Sequence, residues 1–485
     1  MLLNSKYFES SPPNPSAVLN SLRAFGYTLE MAIADIIDNS ITAEASIVRI
    51  SFSMEKFSSF IRIEDNGKGM DSVELQRAMQ LGSKNPMDDR DKKDLGRFGI
   101  GLKTASFSQC KRLTVKTKQK ISHIRSWDLD HIDLSNSWLL SKNVFDTNSE
   151  NNLADFFSDT GTIILWEKLD RIIETGSHEK DKENFYRKFE TLKVHLGLVF
   201  HRFLEDNILK IFIGEEEIMP FNPFNISDKI PSTELSIEQY SMEGNQILIQ
   251  PYILPHESKL SGSEIKKLNI LRGWNEHQGI FLYRNKRLIL DGTWLDLPFR
   301  KKENQRLLRV QVDIPNTLDK QFQIDVKKSS AKVPDELRDV FYRICQNAIE
   351  KATKVYSHRG SYVKRKNENN ELVYIWQTRQ NKGKKSYLIN QEHPLLKAIY
   401  NSIGASEKIL LGDFIKMIEE SLPVGMIIND FSDNQIVTES TLSKDLGKLK
   451  LIFQNTLNML ITGGMSEENA RNELLKTEIF HLIAN

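Results

Sequence analysis

The amino-acid sequence predicts an α+β fold: an α/β sandwich with helices on one sheet face, then a second α/β domain, then a small, mostly helical C-terminal domain. Three observations carry this. From residue 17 to about 169 the periodicity runs helix, hairpin, helix, glycine-rich loop, helix and strands. A long, charged helical stretch at 171–203 separates that block from short strands and loops at 205–335. From residue 388 the sequence is again apolar at helical spacing.

Residues 17–45 read as helical, because Leu29, Ile33, Ile36, Ile37 and Ser40 recur at i, i+3, i+4 spacing and make one buried stripe. Ser46–Ser53 and Phe60–Glu64 alternate β-branched or aromatic with polar residues and read as two strands joined through Met54–Ser59. A helix over Ser72–Gly82 leads to a polar segment at Ser83–Asp94, then to a glycine-rich loop, an apolar helix at Ile100–Ser108 and a strand at Arg112–Lys118. Gly161 and Thr162 open the apolar run Ile163–Trp166. Within 205–335 one helix is expected near Gly262–Leu271, and Asp335–Tyr356 is amphipathic and helical. At Ser357–Tyr387 many lysines and arginines face only Glu368 and Glu371, which reads as a linker or exposed loop. The expected domains are therefore 1–170, 171–356, a basic linker at 357–387, and 388–485.

A chain of 485 residues exceeds one ordinary core. With 39% hydrophobic and 27% charged residues it has the composition of a soluble globular protein. No stretch approaches the roughly 18 apolar residues of a membrane span, and the polar start, Met1–Ser16, lacks the pattern of a secretory signal. Cys110 and Cys345 fit no zinc or redox spacing, which points to ordinary thiols in a reducing cytoplasm. The net charge of +1 leaves nucleic-acid binding to local patches, such as the basic stretch Lys364–Lys385 with Tyr374 and Trp376 among its charges; the same stretch also reads as a solvated loop.

Three constellations carry chemistry. Asp35 and Asn39, at i and i+4, share the helix face opposite the apolar stripe. There a carboxylate can polarise a water and an amide oxygen can take a place on Mg²⁺; the plainer alternative is a solvated face with an Asn cap. The phrase Asp65-Asn-Gly67-Lys-Gly69-Met70 puts a carboxylate at a strand end beside a sharp turn, suited to an exocyclic amine such as that of adenine, or simply to an Asn-Gly turn. Ser72 stands where a dinucleotide fingerprint needs its third glycine, so that motif fails. Gly96, Gly99 and Gly101 precede an apolar helix whose N–H groups suit phosphate oxygens, with Lys103 adding charge; a flexible surface loop is the alternative. Leu102 between Gly101 and Lys103 excludes a Walker loop.

In this order and spacing the three phrases resemble the N-box, first glycine box and glycine-rich lid of the gyrase, heat-shock-chaperone, histidine-kinase and MutL (GHKL) ATPases, with Gly161-Thr162 at the place of the family's later Gly-Thr element. The resemblance covers residues 20–165 and implies the Bergerat ATPase sandwich. It implies ATP and Mg²⁺ as cofactors, Asp65 reading adenine together with Thr162, and Asn39 holding Mg²⁺. Gly67, Gly69 and Met70 would line the nucleotide, and Gly96, Arg97, Phe98, Gly99, Ile100, Gly101, Leu102, Lys103 and Thr104 would close over the triphosphate. Asp35 stands where the family usually has a catalytic Glu, one methylene longer, which implies slow turnover. Thr42 stands where many members have Asp.

The lid wording Gly-Arg-Phe-Gly-Ile-Gly-Leu-Lys is closest to the MORC-like branch, and no phospho-acceptor His box precedes it. Gly279–Leu290, with Arg284-Asn285-Lys286-Arg287, resembles the transducer domain of MORC and MutL proteins. Their transducer lysine, which reaches the γ-phosphate, would lie in Gln323–Ser330; in a strand Lys327 and Lys328 point to opposite faces, and Lys327 is the expected one. The resemblance implies a cytoplasmic ATPase switch or clamp whose heads dimerise on ATP and act on DNA or a partner protein, in a setting such as anti-phage defence or DNA restriction. The alternatives are a nucleotide-gated interaction protein with little hydrolysis and a MutL-like repair factor; the latter's endonuclease form needs a C-terminal metal cluster, and only His393 and scattered acids stand there.

Overall fold

The structure is a computed structural model that describes residues 11, 13–24, 26–54, 59–82, 101–172, 178–227, 229–262, 264–265, 273–325, 328–360, 373–381, 384–421, 446–477 and 480. The chain divides into two compact units, Met1–Tyr362 and Val363–Asn485.

The helical pattern at 17–45 resolves into two helices. α1 (Pro15–Arg23) starts on an Asn14 cap with Pro15 in the first turn. α2 (Leu29–Thr42) starts on Thr28, whose hydroxyl accepts the Met31 N–H. Gly26, at φ +65°, turns the chain between them. α2 also departs from the one-sided stripe expected of it. Ala32 through Asp38 are all buried, so the face carrying Asp35 lies inside the protein rather than in solvent.

α2 packs on a seven-stranded sheet made of β1 (Ile47–Ser53), β2 (Phe60–Asp65), β3 (Arg112–Lys118), β4 (Ser122–Asp128), β5 (Gly161–Glu167), β6 (Lys210–Ile213) and β7 (Glu216–Glu217), in the order β4-β3-β5-β2-β1-β6-β7. Only β6 runs parallel to its neighbour, β1. Because β6 belongs to this sheet, the first core continues past residue 170. Phe185, Phe189, Leu192 and Leu196 of the connector helix His178–Val199 are buried in it with Ile33, Ile36, Ile37, Val48, Ile50, Ile61 and Ile63. α3 (Ser72–Met79) is held by a capping box between Asp71 and Glu74. α4 (Gly101–Phe107) is short and almost wholly buried.

The second sheet contains β8 (Thr233–Glu234), β9 (Glu238–Met242), β10 (Asn245–Ile253), β11 (Gly279–Arg284), β12 (Arg287–Thr293) and β13 (Leu308–Ile314), with the path β12-β11-β13-β10-β8 and β9 beside β10. The helix Arg338–Gly360 covers it with Phe341, Ile344, Cys345, Ala348, Ile349 and Ala352, a stripe at helical spacing. The helix expected near Gly262–Leu271 falls largely outside the described residues.

The second unit holds the helices Pro394–Ser402, Ala405–Glu420, Leu446–Thr462 and Glu467–Leu475. It also holds a hairpin, Trp376–Asn381 with Lys384–Ile389, most of it within the stretch expected to be a linker or exposed loop. Cross-strand pairs such as Trp376 with Ile389 and Gln377 with Leu388 favour the hairpin, a pattern that the lysines around them conceal. No helix among the described residues is long and apolar enough to cross a membrane.

Candidate functional site

α2 is the shared wall of the site, because it presents Asp35, Asp38, Asn39 and Ser40 within two turns. At one end, Ser40 meets Asp65 at the close of β2. The Ser40 hydroxyl donates to Asp65 Oδ2 at 2.8 Å and the Gly67 N–H donates to Oδ1 at 2.9 Å. Burial pushes the Asp65 carboxyl above its ordinary value, and the bonds from Gly67, Ser40 and the Thr162 backbone offset part of that rise. Thr162 lies opposite Asp65 in the β2–β5 register, with its hydroxyl 3.2 Å from that of Thr117.

Two glycines are required by this geometry. Gly69 sits at φ +65°, and a Cβ there would lie 2.2 Å from the Lys118 carbonyl oxygen. A Cβ on Gly161 would lie 2.0 Å from the Asp65 carbonyl oxygen, so only glycine lets β5 start beside the strand end that carries Asp65. Next to Gly69, the Met70 N–H donates to the Thr117 hydroxyl at 2.9 Å. Gly67, Gly69, Met70, Asp65 and Thr162 are thus brought together.

Nearer the middle of α2, Asp35 is 7% exposed. The Tyr27 phenol donates to its Oδ2 at 3.1 Å and the Lys328 ammonium donates to its Oδ1 at 2.9 Å. Burial, followed by the charge of Asp35, raises the Tyr27 phenol far above its usual range, so it remains a donor. A Cβ on Gly101 would stand 4.0 Å from Asp35 Oδ2, which puts the start of α4 beside this carboxylate. Thr104, one turn on, bonds the same phenol. Asn39 is exposed, one residue after the buried Asp38.

Asp38 is 1% exposed and takes two cations from the second sheet's side of the unit. Arg287 Nε donates to its Oδ1 at 3.1 Å, and Lys328 donates to its Oδ2. Burial alone would raise the Asp38 carboxyl, but Arg287 and Lys328 together hold it below its ordinary value.

Lys328 leaves a turn rather than the strand expected over Gln323–Ser330. The Asp325 carboxylate accepts the Ser329 and Ser330 N–H groups, and its carbonyl accepts the Lys328 N–H. Lys328 itself has φ +56°, an uncommon backbone state for a residue with a side chain. Lys327, the expected lysine, lies outside the described residues, as do Gly96, Arg97, Phe98, Gly99 and Ile100. Lys103 is directed elsewhere: its ammonium is buried and donates to the Ala78 carbonyl at 2.8 Å. Leu102 packs against the first core.

Sequence reasoning overlooked Tyr27, Asp38 and Arg287. Asp38 lies inside the quoted helix, beside Asn39, and Arg287 inside the quoted Arg284–Arg287 run; its place directly before the apolar strand run Leu288–Leu290 was the available signal. Tyr27 carried none.

The donor set suits Mg²⁺ with a nucleotide. Mg²⁺ keeps several waters and takes one or two protein oxygens besides phosphates, which one exposed amide oxygen at Asn39 can supply. Asp65 accepts from Ser40, Gly67 and the Thr162 backbone, and a carboxylate has about four acceptor sites, so it can still receive an amine.

No curated protein matches the chain. Residues 27–161, from Tyr27 to Gly161, match the family model for histidine kinase-, DNA gyrase B-, and HSP90-like ATPase, and this supports a GHKL-type ATPase domain in that segment.

Proposed function

We propose that the chain is a Mg²⁺-dependent ATP-binding and hydrolysing switch. Asp65 reads the adenine amine with Thr162, Asn39 holds the metal, Asp35 is the general base, and Lys328 is the cation for the γ-phosphate. The observation that carries this is the bond between Lys328 and Asp35, which brings a cation from distant sequence to the one carboxylate that the ATPase resemblance names as base. Bound Mg-ATP supplies the phosphoanhydride to be cleaved and the metal charge that offsets its oxygens. Asp35 orients a water and takes its proton on a carboxylate oxygen. Tyr27 keeps that carboxylate in one rotamer through its bond to Oδ2. The C-terminal part of α2, where Ser40 meets Asp65 of β2, fixes the adenine relative to the reacting phosphate.

The lid wording and the second sheet in the same compact unit support a MORC-like organisation, in which ATP closes the heads of two protomers and hydrolysis releases them. The client would be DNA or a partner protein, with anti-phage defence or restriction as a setting. A second reading, a nucleotide-gated interaction protein with little turnover, is favoured by one observation: both Asp35 oxygens already accept a bond, so a water must compete with Tyr27 and Lys328 for them. Titration with a fluorescent ATP analogue, followed by phosphate release from Mg-ATP, separates the two. Binding with turnover supports the switch; binding without turnover supports the second reading; no binding at millimolar nucleotide rejects both. Mass measurement with a non-hydrolysable analogue tests head closure, and an unchanged mass rejects it.

A further inference from the structure

Arg287 and Lys328 share one buried carboxylate and take one oxygen each. Arg287 Nε donates to Asp38 Oδ1 at 3.1 Å, while Lys328 donates to Oδ2 and, at 2.9 Å, to Asp35 Oδ1. The side chains of Asp38, Arg287 and Lys328 are 2%, 5% and 11% exposed. Two carboxylates thus balance two cations in a space with little water to screen them.

The two cations differ in freedom. Arg287 is clamped: its guanidinium also donates to the Leu288 carbonyl and lies 5.2 Å from the centre of the Phe200 ring, which is fully buried. Lys328 ends a flexible side chain on a turn braced by Asp325. Without Arg287, more of the Asp38 charge would fall on Lys328, since Arg284 acts on Asp38 by its charge and is bonded to Asp319, and both Asp38 oxygens would compete for the ammonium. With Arg287 on Oδ1, Lys328 is confined to Oδ2, on the side from which it also reaches Asp35.

We propose that Arg287 is a positioning residue for Lys328: by occupying Oδ1 of Asp38 and offsetting its charge, it leaves the Lys328 ammonium placed beside Asp35 and loosely enough held to be shared with a third anion, the γ-phosphate. This rests on the ATP-site reading above. Arg287 touches no nucleotide; it acts through Asp38 on Lys328 alone.

The test compares Mg²⁺-dependent binding of fluorescent mant-ATP and mant-ADP to the full chain, because only ATP carries the phosphate that Lys328 would meet. Wild type is expected to prefer ATP by about tenfold or more, the effect of one charge-assisted bond. Lys328→Ala loses the preference, Arg287→Gln loses most of it, and Arg287→Lys, which keeps the charge, retains more. In the Lys328→Ala background Arg287→Gln changes the ratio no further, since a residue acting only through Lys328 has nothing left to act on. A purely structural role would instead weaken both nucleotides alike, or lower the ratio again in that background, and either result overturns the proposal. Should Arg287→Gln fail to fold, Asp38→Asn/Arg287→Gln removes both charges of the pair. Retained ATP preference in that double variant supports the proposal, and a ratio as low as that of Lys328→Ala overturns it. If wild type binds neither nucleotide, the underlying ATP site is refuted instead, and if it binds both equally, the role of Lys328 is.

Discussion

The Lys328 ammonium donates to the Asp35 carboxylate at 2.9 Å across 293 residues of sequence. One of these residues belongs to the segment matched as an ATPase and the other to the turn that follows the second sheet. Both lie in one compact unit, so the bond is a direct tie between the proposed base and the part of the chain expected to report nucleotide state.

That tie gives the first prediction. Lys328→Ala should lower phosphate release by about 10²- to 10³-fold, the usual loss when one aimed donor to developing charge is removed. ADP binding should change little, because ADP lacks the phosphate concerned. Steady-state phosphate release with a parallel ADP titration checks it; an equal loss in both would point to misfolding.

Asp65→Asn should weaken nucleotide binding by at least about tenfold, since it puts an NH₂ where an amine must be received and loses a charge-assisted bond. With the amide oxygen toward Gly67 its N–H keeps an acceptor, and the Ser40 hydroxyl can turn to accept from the new NH₂, so the unfolding temperature should fall by only a few degrees. Isothermal titration and thermal unfolding of the same sample separate binding loss from fold loss.

Gly69→Ala should damage fold and site together. The left-handed backbone costs about 1–2 kcal/mol with a side chain, and the new Cβ would lie 2.2 Å from the Lys118 carbonyl oxygen. Denaturant unfolding should show a loss of at least about 2 kcal/mol. An unchanged midpoint would mean that the Gly69 turn is not as described.

A fourth prediction concerns acid. His201 is buried; its Nε2 lies 2.8 Å from the Tyr283 hydroxyl and its Nδ1 3.1 Å from Glu205. Burial holds the His201 pKa below its ordinary value, while Glu205 works the other way. In the unfolded chain the ring gains its proton near its ordinary value of about 6.5. The unfolded state therefore binds more protons than the folded state below that pH, and stability must drop as pH falls through it. The slope approaches about 1.4 kcal/mol per pH unit for one proton. Unfolding midpoints between pH 7.5 and 5 should decline in wild type, and less steeply in His201→Gln.

β1 and β2 were legible because apolar and polar residues alternate along them, whereas β5 shows instead the apolar run of a strand buried throughout. β3 runs over the residues expected, Arg112–Lys118, and β2 ends one residue beyond expectation, on Asp65 itself. The Gly-x-Gly phrase was legible for the same local reason: Gly69 needs a left-handed backbone, and that need is written in the residue. What stayed hidden depends on long-range packing. Asp35 read as part of an exposed face, because its burial comes from Tyr27 and from Lys328, far along the chain. Likewise Lys328 replaces the expected strand geometry with a turn, because the Asp325 carboxylate captures two backbone N–H groups that a strand would have paired. The break between α1 and α2 was visible in Gly26 and Thr28 but masked by the apolar period on either side.

Single-turnover phosphate release from Mg-ATP by wild type and Asp35→Asn tests most directly whether Asp35 is the base of a working ATP site. Wild type should release phosphate, and Asp35→Asn should bind ATP with nearly the same affinity but release it about 10²- to 10⁴-fold more slowly, the range of a lost general base. Equal release rates in the two proteins would contradict the account.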